Sequence, residues 1–309
     1  MPYRFVSRVP LICHWFLFVT VVIAELETSL PTANAAPPLS TTAAVVRDLN
    51  YAGNESPHHT LDLYLPEKQR QNSPLVVWIH GGGWRKGSKD FCPIRYLADE
   101  GFTVASINYR LTDVAPFPAQ IHDCKAAIRF LRAQAKKHGY DAGRIGVGGG
   151  SAGGHLVSLL GTTGDMKELE GDVGKHTDVS SRVQAVLNLY GPTDLHMIVN
   201  TVPTFIDLPS SPLYHLFGQK PTECIELVKL ASPVLHVTKD DAPVLMMHGS
   251  EDRLVHLIHS EKLRDAYAEL KLPAELIVFD GASHGGLRFF DEAARKAQTE
   301  FFRKYLSGE

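Results

Sequence analysis

The sequence predicts an α/β fold: a mostly parallel central β-sheet flanked by helices, with an antiparallel hairpin at its N-terminal edge. Short apolar runs, each followed by glycines or a polar loop, recur along the 309 residues. Each run is continuous rather than alternating, which is typical of a strand buried on both faces. Helix-period patterns separate the runs, and this alternation indicates βαβ units.

The strands and helices can be placed individually. The six apolar runs occupy residues 75–79, 103–107, 145–147, 185–189, 244–247 and 276–279. Before them, residues 45–50 and 60–65 predict the edge hairpin. Apolar residues spaced by three and four predict helices over 119–137, 260–270 and 291–306. Because ligands of such sheets bind beyond the carboxyl ends of the strands, we expect functional residues directly after the runs.

The first 35 residues differ from the rest of the chain. Arg4 and Arg8 precede an apolar run, and a small-residue stretch then ends at Ala35. This pattern predicts a secretory signal over residues 1–35, and hence a secreted or periplasmic protein. The apolar run is shorter than the ~20 residues of a spanning helix, so no stable membrane insertion is expected after cleavage. An uncleaved membrane anchor is the alternative.

Residues 36–309 predict a single α/β domain. A proline-containing stretch around residues 195–230 departs from the strand–helix alternation and predicts an insertion. The formal net charge is −3, and no basic patch indicates a nucleic-acid partner. The sequence leaves the oligomeric state open.

Beyond the signal, the cysteines are Cys92, Cys124 and Cys224. An odd number without close spacing predicts neither a disulfide framework nor a metal cluster, and whether one pair forms a disulfide stays open. The sequence contains no HExxH and no paired CxxC motif, so no metal is expected.

The stretch GVGGGSAGG at residues 146–154 fits two motifs. G-x-G-x-x-G is the dinucleotide-binding pattern, whereas G-x-S-x-G places Ser151 on a sharp turn between a strand and a helix. A dinucleotide loop normally opens the first βα unit and is followed by an acid at the end of the next strand. Here at least two strands and a long helix precede the loop, and Glu168, Glu170 and Asp172 lie in a polar stretch without strand character. The serine motif is therefore favoured, and no cofactor is expected.

The serine motif requires three further features, each at the end of a strand. An oxyanion-hole loop should follow an earlier strand, and His80-Gly81-Gly82-Gly83-Trp84 follows the first run. An acid should follow a later strand, and Asp252 lies after the fifth run. A histidine should follow the last strand, and His284 does so. The joint agreement favours a nucleophilic serine over a packing turn in which the serine is incidental.

With these motifs, the chain resembles the α/β-hydrolase superfamily. Within it, the chain is similar to the HGGGW-bearing carboxylesterases related to bacterial acetylxylan and feruloyl esterases. The resemblance covers roughly residues 45–306, and the segments LDLY at 61–64, NYRL at 108–111 and YGPTD at 190–194 agree with it. It implies an α/β-hydrolase fold and ester hydrolysis without a cofactor.

The resemblance implies a role for each site residue. Ser151 is the expected nucleophile, His284 the general acid and base, and Asp252 the carboxylate that orients the imidazole. By analogy with the HGGG loop, backbone N–H groups of Gly82, Gly83 and Ala152 are expected to form the oxyanion hole.

Rival residues exist for two of these roles. Glu251 and Asp280 are alternatives to Asp252. His248, His256 and His259 are alternatives to His284, but His248 precedes the acid and is interpreted as a buried, hydrogen-bonded histidine. His80 is interpreted as shaping its loop, and Trp84 as a packing residue.

The expected substrate is an acyl ester, either a small molecule or an acetyl or feruloyl group linked to a polysaccharide. The first alternative is an arylformamidase, because HGGGW is similar to the HGGxW loop of kynurenine formamidase. The second alternative is a non-catalytic binding protein on the hydrolase fold. Few residues separate the predicted cleavage site from the first strand, so the helical cap of hormone-sensitive-lipase-type esterases is not expected there, and an open cleft is.

Overall fold

A computed structural model describes residues 44–67, 72–164 and 166–306. The predicted signal, residues 1–35, lies outside these described residues. The described residues form one sheet of eight strands, in the spatial order β1-β2-β4-β3-β5-β6-β7-β8. The strands are β1 (Ala44–Asn50), β2 (Thr60–Leu65), β3 (Ser73–Ile79), β4 (Thr103–Ile107), β5 (Tyr140–Gly150), β6 (Ala185–Leu189), β7 (Val244–Gly249) and β8 (Ala274–Phe279).

The sheet is antiparallel at one edge and parallel elsewhere. β2 runs antiparallel to both β1 and β4, and every pairing from β4 to β8 is parallel. The predicted fold class, a mostly parallel sheet with an antiparallel N-terminal hairpin, is confirmed. The carboxyl ends of the parallel strands therefore share one rim, where the loops after β3, β5, β7 and β8 meet.

Eight α-helices accompany the sheet within the described residues. They are α1 (Ala119–His138), α2 (Ala152–Thr162), α3 (Leu195–Thr201), α4 (Pro203–Ile206), α5 (Pro212–Phe217), α6 (Ile225–Leu230), α7 (Ile258–Glu269) and α8 (Glu292–Leu306). Side chains of α1, α2 and α7 belong to the hydrophobic cluster on one face of the sheet, and those of α8 belong to the cluster on the other. Along β3, Val77 faces the first cluster and Trp78 the second, which explains why this strand is a continuous apolar run.

β5 is longer than the apolar run that predicts it. The glycines after Val147 carry no apolar signal, yet they continue the strand to Gly150. At Gly146, an added Cβ would lie 2.8 Å from the Phe302 ring. A glycine here lets α8 pack directly on the central strand.

The segment between β6 and β7 contains the four short helices α3 to α6. It packs on the loop that follows β4, because the backbone N–H of Phe117 donates to the carbonyl of Leu216 at 2.7 Å. It also contacts α2, because His155 Nε2 lies 2.7 Å from the carbonyl of Ala231. None of the helices in the described part of the chain is long and apolar enough to span a membrane.

Candidate active site

Ser151 occupies the turn between β5 and α2 in a strained backbone conformation. Its φ of 55° and ψ of −119° are unusual for a residue with a side chain. Such strain costs about 1–3 kcal/mol and persists only where the surroundings enforce it. The Ser151 N–H donates to the Leu189 carbonyl at 2.9 Å, and its carbonyl accepts from His155 N–H at 3.0 Å. The turn is therefore held by the neighbouring strand and by the helix that follows.

The two glycines of the G-x-S-x-G motif are required by close backbone contacts. A Cβ at position 153 would lie 2.0 Å from the Ile79 carbonyl oxygen, and one at position 149 would lie 2.5 Å from the backbone of Gly153. Real Cβ atoms do not approach backbone this closely, so a side chain fits at neither position. This crowding lets the turn project Ser151 at the strand end.

His284 bridges Ser151 and Asp252. Its Nε2 lies 2.9 Å from Ser151 Oγ, and its Nδ1 lies 2.7 Å from Asp252 Oδ2. The Asp252 side chain is fully buried, whereas 19% of the His284 side chain is exposed. The structure thus brings together three residues that the sequence places after β5, β7 and β8. A hydroxyl, an imidazole and a carboxylate in this order can transfer a proton from the hydroxyl.

Asp252 is surrounded by hydrogen-bond donors. Its Oδ1 accepts from the N–H groups of Leu254 and Val255, both at 2.9 Å. His248 Nε2 lies 3.4 Å from Oδ2, beside the contact from His284. Burial acts to raise the Asp252 pKa, but the hydrogen bonds from His248, His284 and Val255 outweigh it and hold this pKa well below its ordinary value. The carboxylate therefore stays ionised over the neutral range.

The rival residues have surroundings that differ from those of Asp252 and His284. Glu251 and Asp280 are exposed, and Asp280 faces Ser250. His248 is fully buried, with its ring nitrogens 2.7 Å from the Val255 carbonyl and 2.7 Å from Ser260 Oγ. The interpretation of His248 as a buried, hydrogen-bonded histidine is confirmed.

The other two candidate histidines have different surroundings. His256 is exposed. His259 is buried and faces the backbone N–H groups of Thr193 and Asp194.

The loop after β3 lies directly against Ser151. A Cβ at Gly81 would lie 2.6 Å from the Gly150 carbonyl oxygen and 3.4 Å from the Ser151 Cβ. Gly82 and Gly83 have φ of 108° and 60°, which favours glycine. Among the described residues, no protein acceptor pairs with the N–H of Gly82 or Gly83. The N–H of Ala152 opens α2, where first-turn N–H groups have no intrahelical partner. The N–H groups of Gly82, Gly83 and Ala152 therefore stay candidate oxyanion donors.

His80 supports this loop through contacts with Tyr109 and Gly81. Its ring stacks on Tyr109 with centroids 4.4 Å apart, and its Nδ1 donates to the Gly81 carbonyl at 2.8 Å. Burial lowers the pKa of His80 to about 4, although the hydrogen bond to Gly81 acts to raise it. His80 therefore remains neutral and supports the loop, in agreement with its interpretation from sequence.

Tyr190 is a site residue whose position the sequence does not reveal. Its ring meets the His284 imidazole edge-on, with centroids 4.9 Å apart, and meets Phe289 at 4.6 Å. A Cβ at Gly150 or Gly285 would lie 3.0 or 3.3 Å from its hydroxyl. The YGPTD motif marks this strand end, but it carries no signal that the tyrosine ring would hold the imidazole in place.

Within the described residues, no group of three His, Cys, Asp or Glu side chains could hold a metal ion. Cys92, Cys124 and Cys224 are free thiols in this part of the chain, and the first two are buried.

The sheet order and the strand–serine–helix turn define an α/β-hydrolase fold, and Ser151, His284 and Asp252 form a candidate catalytic triad at the rim of its sheet. The chain belongs to the BD-FAE family, which it matches over residues 61–267.

Similar proteins agree with this assignment. The esterase LipC of Mycobacterium tuberculosis is 30% identical over 75% of this chain and 58% of its own length. The structure of a truncated carbohydrate esterase from gut microbiota has a TM-score of 0.80 at 33% identity, covering 87% of this chain and 99% of that one. An acetyl ester-xyloside bifunctional hydrolase from Caldicellulosiruptor lactoaceticus has a TM-score of 0.68 at 25% identity, covering 83% of this chain and 95% of that one. The chain spans about three fifths of the length of the curated relatives it matches first.

Proposed function

We propose that this protein is a serine carboxylesterase that hydrolyses acyl esters through Ser151, His284 and Asp252. The proposal depends on the position of the His284 imidazole. It lies 2.9 Å from the hydroxyl of Ser151, whose backbone is strained, and 2.7 Å from a buried carboxylate. A packing turn would require neither the strain nor the alignment.

In the first step, Ser151 Oγ attacks the ester carbonyl carbon while its proton moves to His284 Nε2. The carbonyl oxygen becomes an oxyanion and accepts hydrogen bonds from the N–H groups of Gly82, Gly83 and Ala152. The ester C–O bond then breaks, and His284 returns the proton to the departing alcohol. An acyl-serine remains.

In the second step, water attacks the acyl-serine carbonyl carbon and gives its proton to His284. The bond from the acyl carbon to Ser151 Oγ breaks, the serine recovers its proton, and the carboxylic acid leaves. Asp252 holds His284 Nδ1 in both steps and stabilises the imidazolium that forms. Its pKa lies well below the ordinary value because of its donors, so it serves as a fixed negative charge rather than as a proton acceptor.

Ester hydrolysis that depends on Ser151 is tested with p-nitrophenyl acetate. Ser151→Ala and His284→Ala are each expected to lower kcat by ~10³-fold or more, as removal of one triad member does. Ser283→Ala is the matched control, because this exposed serine is adjacent to His284 and is expected to leave kcat unchanged. Full activity in Ser151→Ala would remove the serine from the mechanism. Fluorophosphonate labelling that survives in this variant would favour a binding protein instead.

We further propose that the substrates are acetyl or feruloyl esters on carbohydrate. Support comes from the similar proteins, one a carbohydrate esterase and one an acetyl ester-xyloside hydrolase. The test is a panel of acetylated xylan, methyl ferulate and p-nitrophenyl esters of increasing chain length. Activity confined to chains of about eight carbons or more would contradict the carbohydrate proposal, and turnover of N-formylkynurenine without ester hydrolysis would support an arylformamidase.

Export is part of the proposal, because the signal pattern of residues 1–35 suits an enzyme that meets polysaccharide outside the cell. The N-terminal sequence of the protein recovered from the medium or periplasm tests it. A new N-terminus at Ala36 is expected. Retention of residues 1–35 on a membrane-bound protein would favour the anchor alternative.

A further inference from the structure

His155 lies at the centre of a buried hydrogen-bonded chain that connects three parts of the molecule. It belongs to α2, four residues after Ser151, and its side chain is fully buried. The indole N–H of Trp84 donates to His155 Nδ1 at 3.3 Å, and His155 Nε2 lies 2.7 Å from the carbonyl oxygen of Ala231. The indole and imidazole rings meet edge-on, with centroids 5.3 Å apart and an interplanar angle of 89°.

The two partners fix the tautomer of the imidazole. An indole N–H can only donate, so His155 Nδ1 must present its lone pair to Trp84. A carbonyl oxygen can only accept, so His155 Nε2 must carry the proton. Burial lowers the pKa of His155 to about 4, although the hydrogen bond to Ala231 acts to raise it. The ring is therefore neutral under ordinary conditions, and both hydrogen bonds are satisfied at once.

Trp84 requires such support. It ends the loop that carries Gly82 and Gly83, and its φ of 59° lies in the left-handed region that a large side chain rarely adopts. Its carbonyl accepts from the Thr112 N–H at 2.9 Å, which fixes the backbone on one side. The indole, nearly fully buried, is fixed by His155 on the other.

The far end of the chain is also anchored. Ala231 follows α6, in the segment between β6 and β7, and is fully buried. The next residue, Ser232, donates its hydroxyl to the Val228 carbonyl at 2.8 Å. The Ser232 oxygen also accepts from the N–H groups of Leu195 and His196, both at 3.1 Å. The carbonyl that receives the His155 proton is therefore held in a fixed position.

We infer that His155 is a positioning residue for the oxyanion loop: it holds Trp84, and through Trp84 the N–H groups of Gly82 and Gly83, at the distance from Ser151 that the transition state requires. The inference rests on the proposed function. It assigns no proton transfer to His155, because neither ring nitrogen faces the serine. It also assigns Trp84 a hydrogen-bonding role beyond packing.

Two substitutions at position 155 separate the two hydrogen bonds. In His155→Asn, the side-chain amide oxygen would occupy the place of Nδ1 and can accept from Trp84. His155→Gln places its amide near Nε2, where it can donate to Ala231 but leaves Trp84 unpaired. Trp84→Phe retains a ring and removes the indole N–H alone.

The measurements are kcat and KM on p-nitrophenyl acetate, together with thermal midpoints. His155→Gln and Trp84→Phe are each expected to lower kcat about 10- to 100-fold with little change in KM, because misplaced oxyanion donors are lost mainly in the transition state. His155→Asn should recover kcat to within about threefold of wild type. The double variant of His155→Gln with Trp84→Phe should be no slower than either single variant, because both remove the same hydrogen bond.

Equal kcat for the Asn and Gln variants would overturn the inference, as would losses that appear in KM alone. If the position-155 variants do not fold, Trp84→Phe decides: a wild-type kcat there overturns the inference, and a lowered kcat with an unchanged thermal midpoint supports it. Ser151→Ala is assayed alongside. Loss of activity in that variant with none in His155→Gln would retain the proposed function and reject this role for His155.

Discussion

The candidate site has two sides that differ in their chemistry. The acid side consists of Asp252 and the imidazoles that contact it, and the oxyanion side consists of the loop with Gly82 and Gly83 and the residues that support it. On the acid side, His284 and His248 both contact the Asp252 carboxylate, so a fixed negative charge organises two imidazoles. On the oxyanion side, His80 and His155 contact backbone carbonyls and an indole, and burial lowers the pKa of each to about 4. The histidines of the oxyanion side are therefore neutral.

The difference matches what each side would have to stabilise in the proposed mechanism. A positive charge appears on His284 during the reaction, and a permanent carboxylate lowers its energy. A negative charge appears on the substrate oxygen, and fixed N–H dipoles stabilise it without any change in protonation. The neutral imidazoles of His80 and His155 add no charge of their own beside those dipoles.

The largest effect is expected on the acid side. Asp252→Asn removes the fixed charge and favours the wrong imidazole tautomer, so kcat on p-nitrophenyl acetate should fall by ~10³- to 10⁴-fold. Glu251→Gln is the matched control, because Glu251 is the adjacent carboxylate and is exposed. A comparable loss of kcat in Glu251→Gln would assign to Glu251 the role of the carboxylate that orients His284.

The next effect separates two neighbouring glycines of the oxyanion loop. A Cβ at position 82 would lie 2.3 Å from the Lys86 carbonyl oxygen, whereas one at position 83 meets nothing within 4 Å. Gly82→Ala should therefore displace the loop and lower kcat by ~10²-fold or more. Gly83→Ala adds only a left-handed backbone cost of about 1–2 kcal/mol and should lower kcat less than Gly82→Ala does. Equal kcat values for the two variants would contradict this account of the loop.

A smaller effect is expected from the second imidazole on Asp252. His248→Asn keeps an acceptor for Ser260 but removes the Nε2 contacts with Val255 and Asp252. Losing one hydrogen bond to a charged group should lower kcat about tenfold. His256→Asn, at an exposed position nearby, provides the comparison and should match wild type. An unchanged kcat in His248→Asn would show that His284 and the backbone alone hold the carboxylate.

The smallest effect concerns stability on the oxyanion side. The pKa of His155 is about 4 in the folded chain, against 6.5 ordinarily. Between these values, protons bind the unfolded chain preferentially, so the free energy of unfolding decreases as the pH falls from 6.5 toward 4. Asparagine does not titrate, so the His155→Asn variant should lose about 2 kcal/mol less stability than wild type between pH 7 and pH 4.5. Urea unfolding at both pH values measures this, and parallel losses in the two proteins would contradict the buried, neutral state of His155.

Sequence patterns predicted the parts of the fold that depend on apolar periodicity. Central strands such as β6 and β7 are buried on both faces and the long helices are amphipathic, so both produce a signal. The helix α2 was not predicted from periodicity, because every one of its residues is buried and its glycines and serine interrupt any apolar stripe. The extension of β5 to Gly150 was missed for a related reason, since glycine is neutral in such patterns.

Within the site, the residues that carry the proposed chemistry were predictable and their supports were not. Ser151, Asp252 and His284 follow strands in a fixed order, so local motifs indicate these positions, although Glu251 remains an alternative beside Asp252. His155 and Trp84 are 71 positions apart, and their contact depends on how two loops pack. The same holds for Tyr190, whose ring contacts His284 across a long stretch of chain. Such pairs produce no local pattern in one sequence.

The link between His155 and the segment after β6 ends on a main-chain oxygen rather than on a side chain. Main-chain acceptors persist whatever amino acid occupies position 231, provided that the fold there is kept. Exposed positions of that segment, such as Val202 and Leu208, can therefore be varied in an engineering library without direct loss of this anchor. Sequence variation in that segment and the support of the loop that carries Gly82 and Gly83 are in this way separable targets for directed evolution.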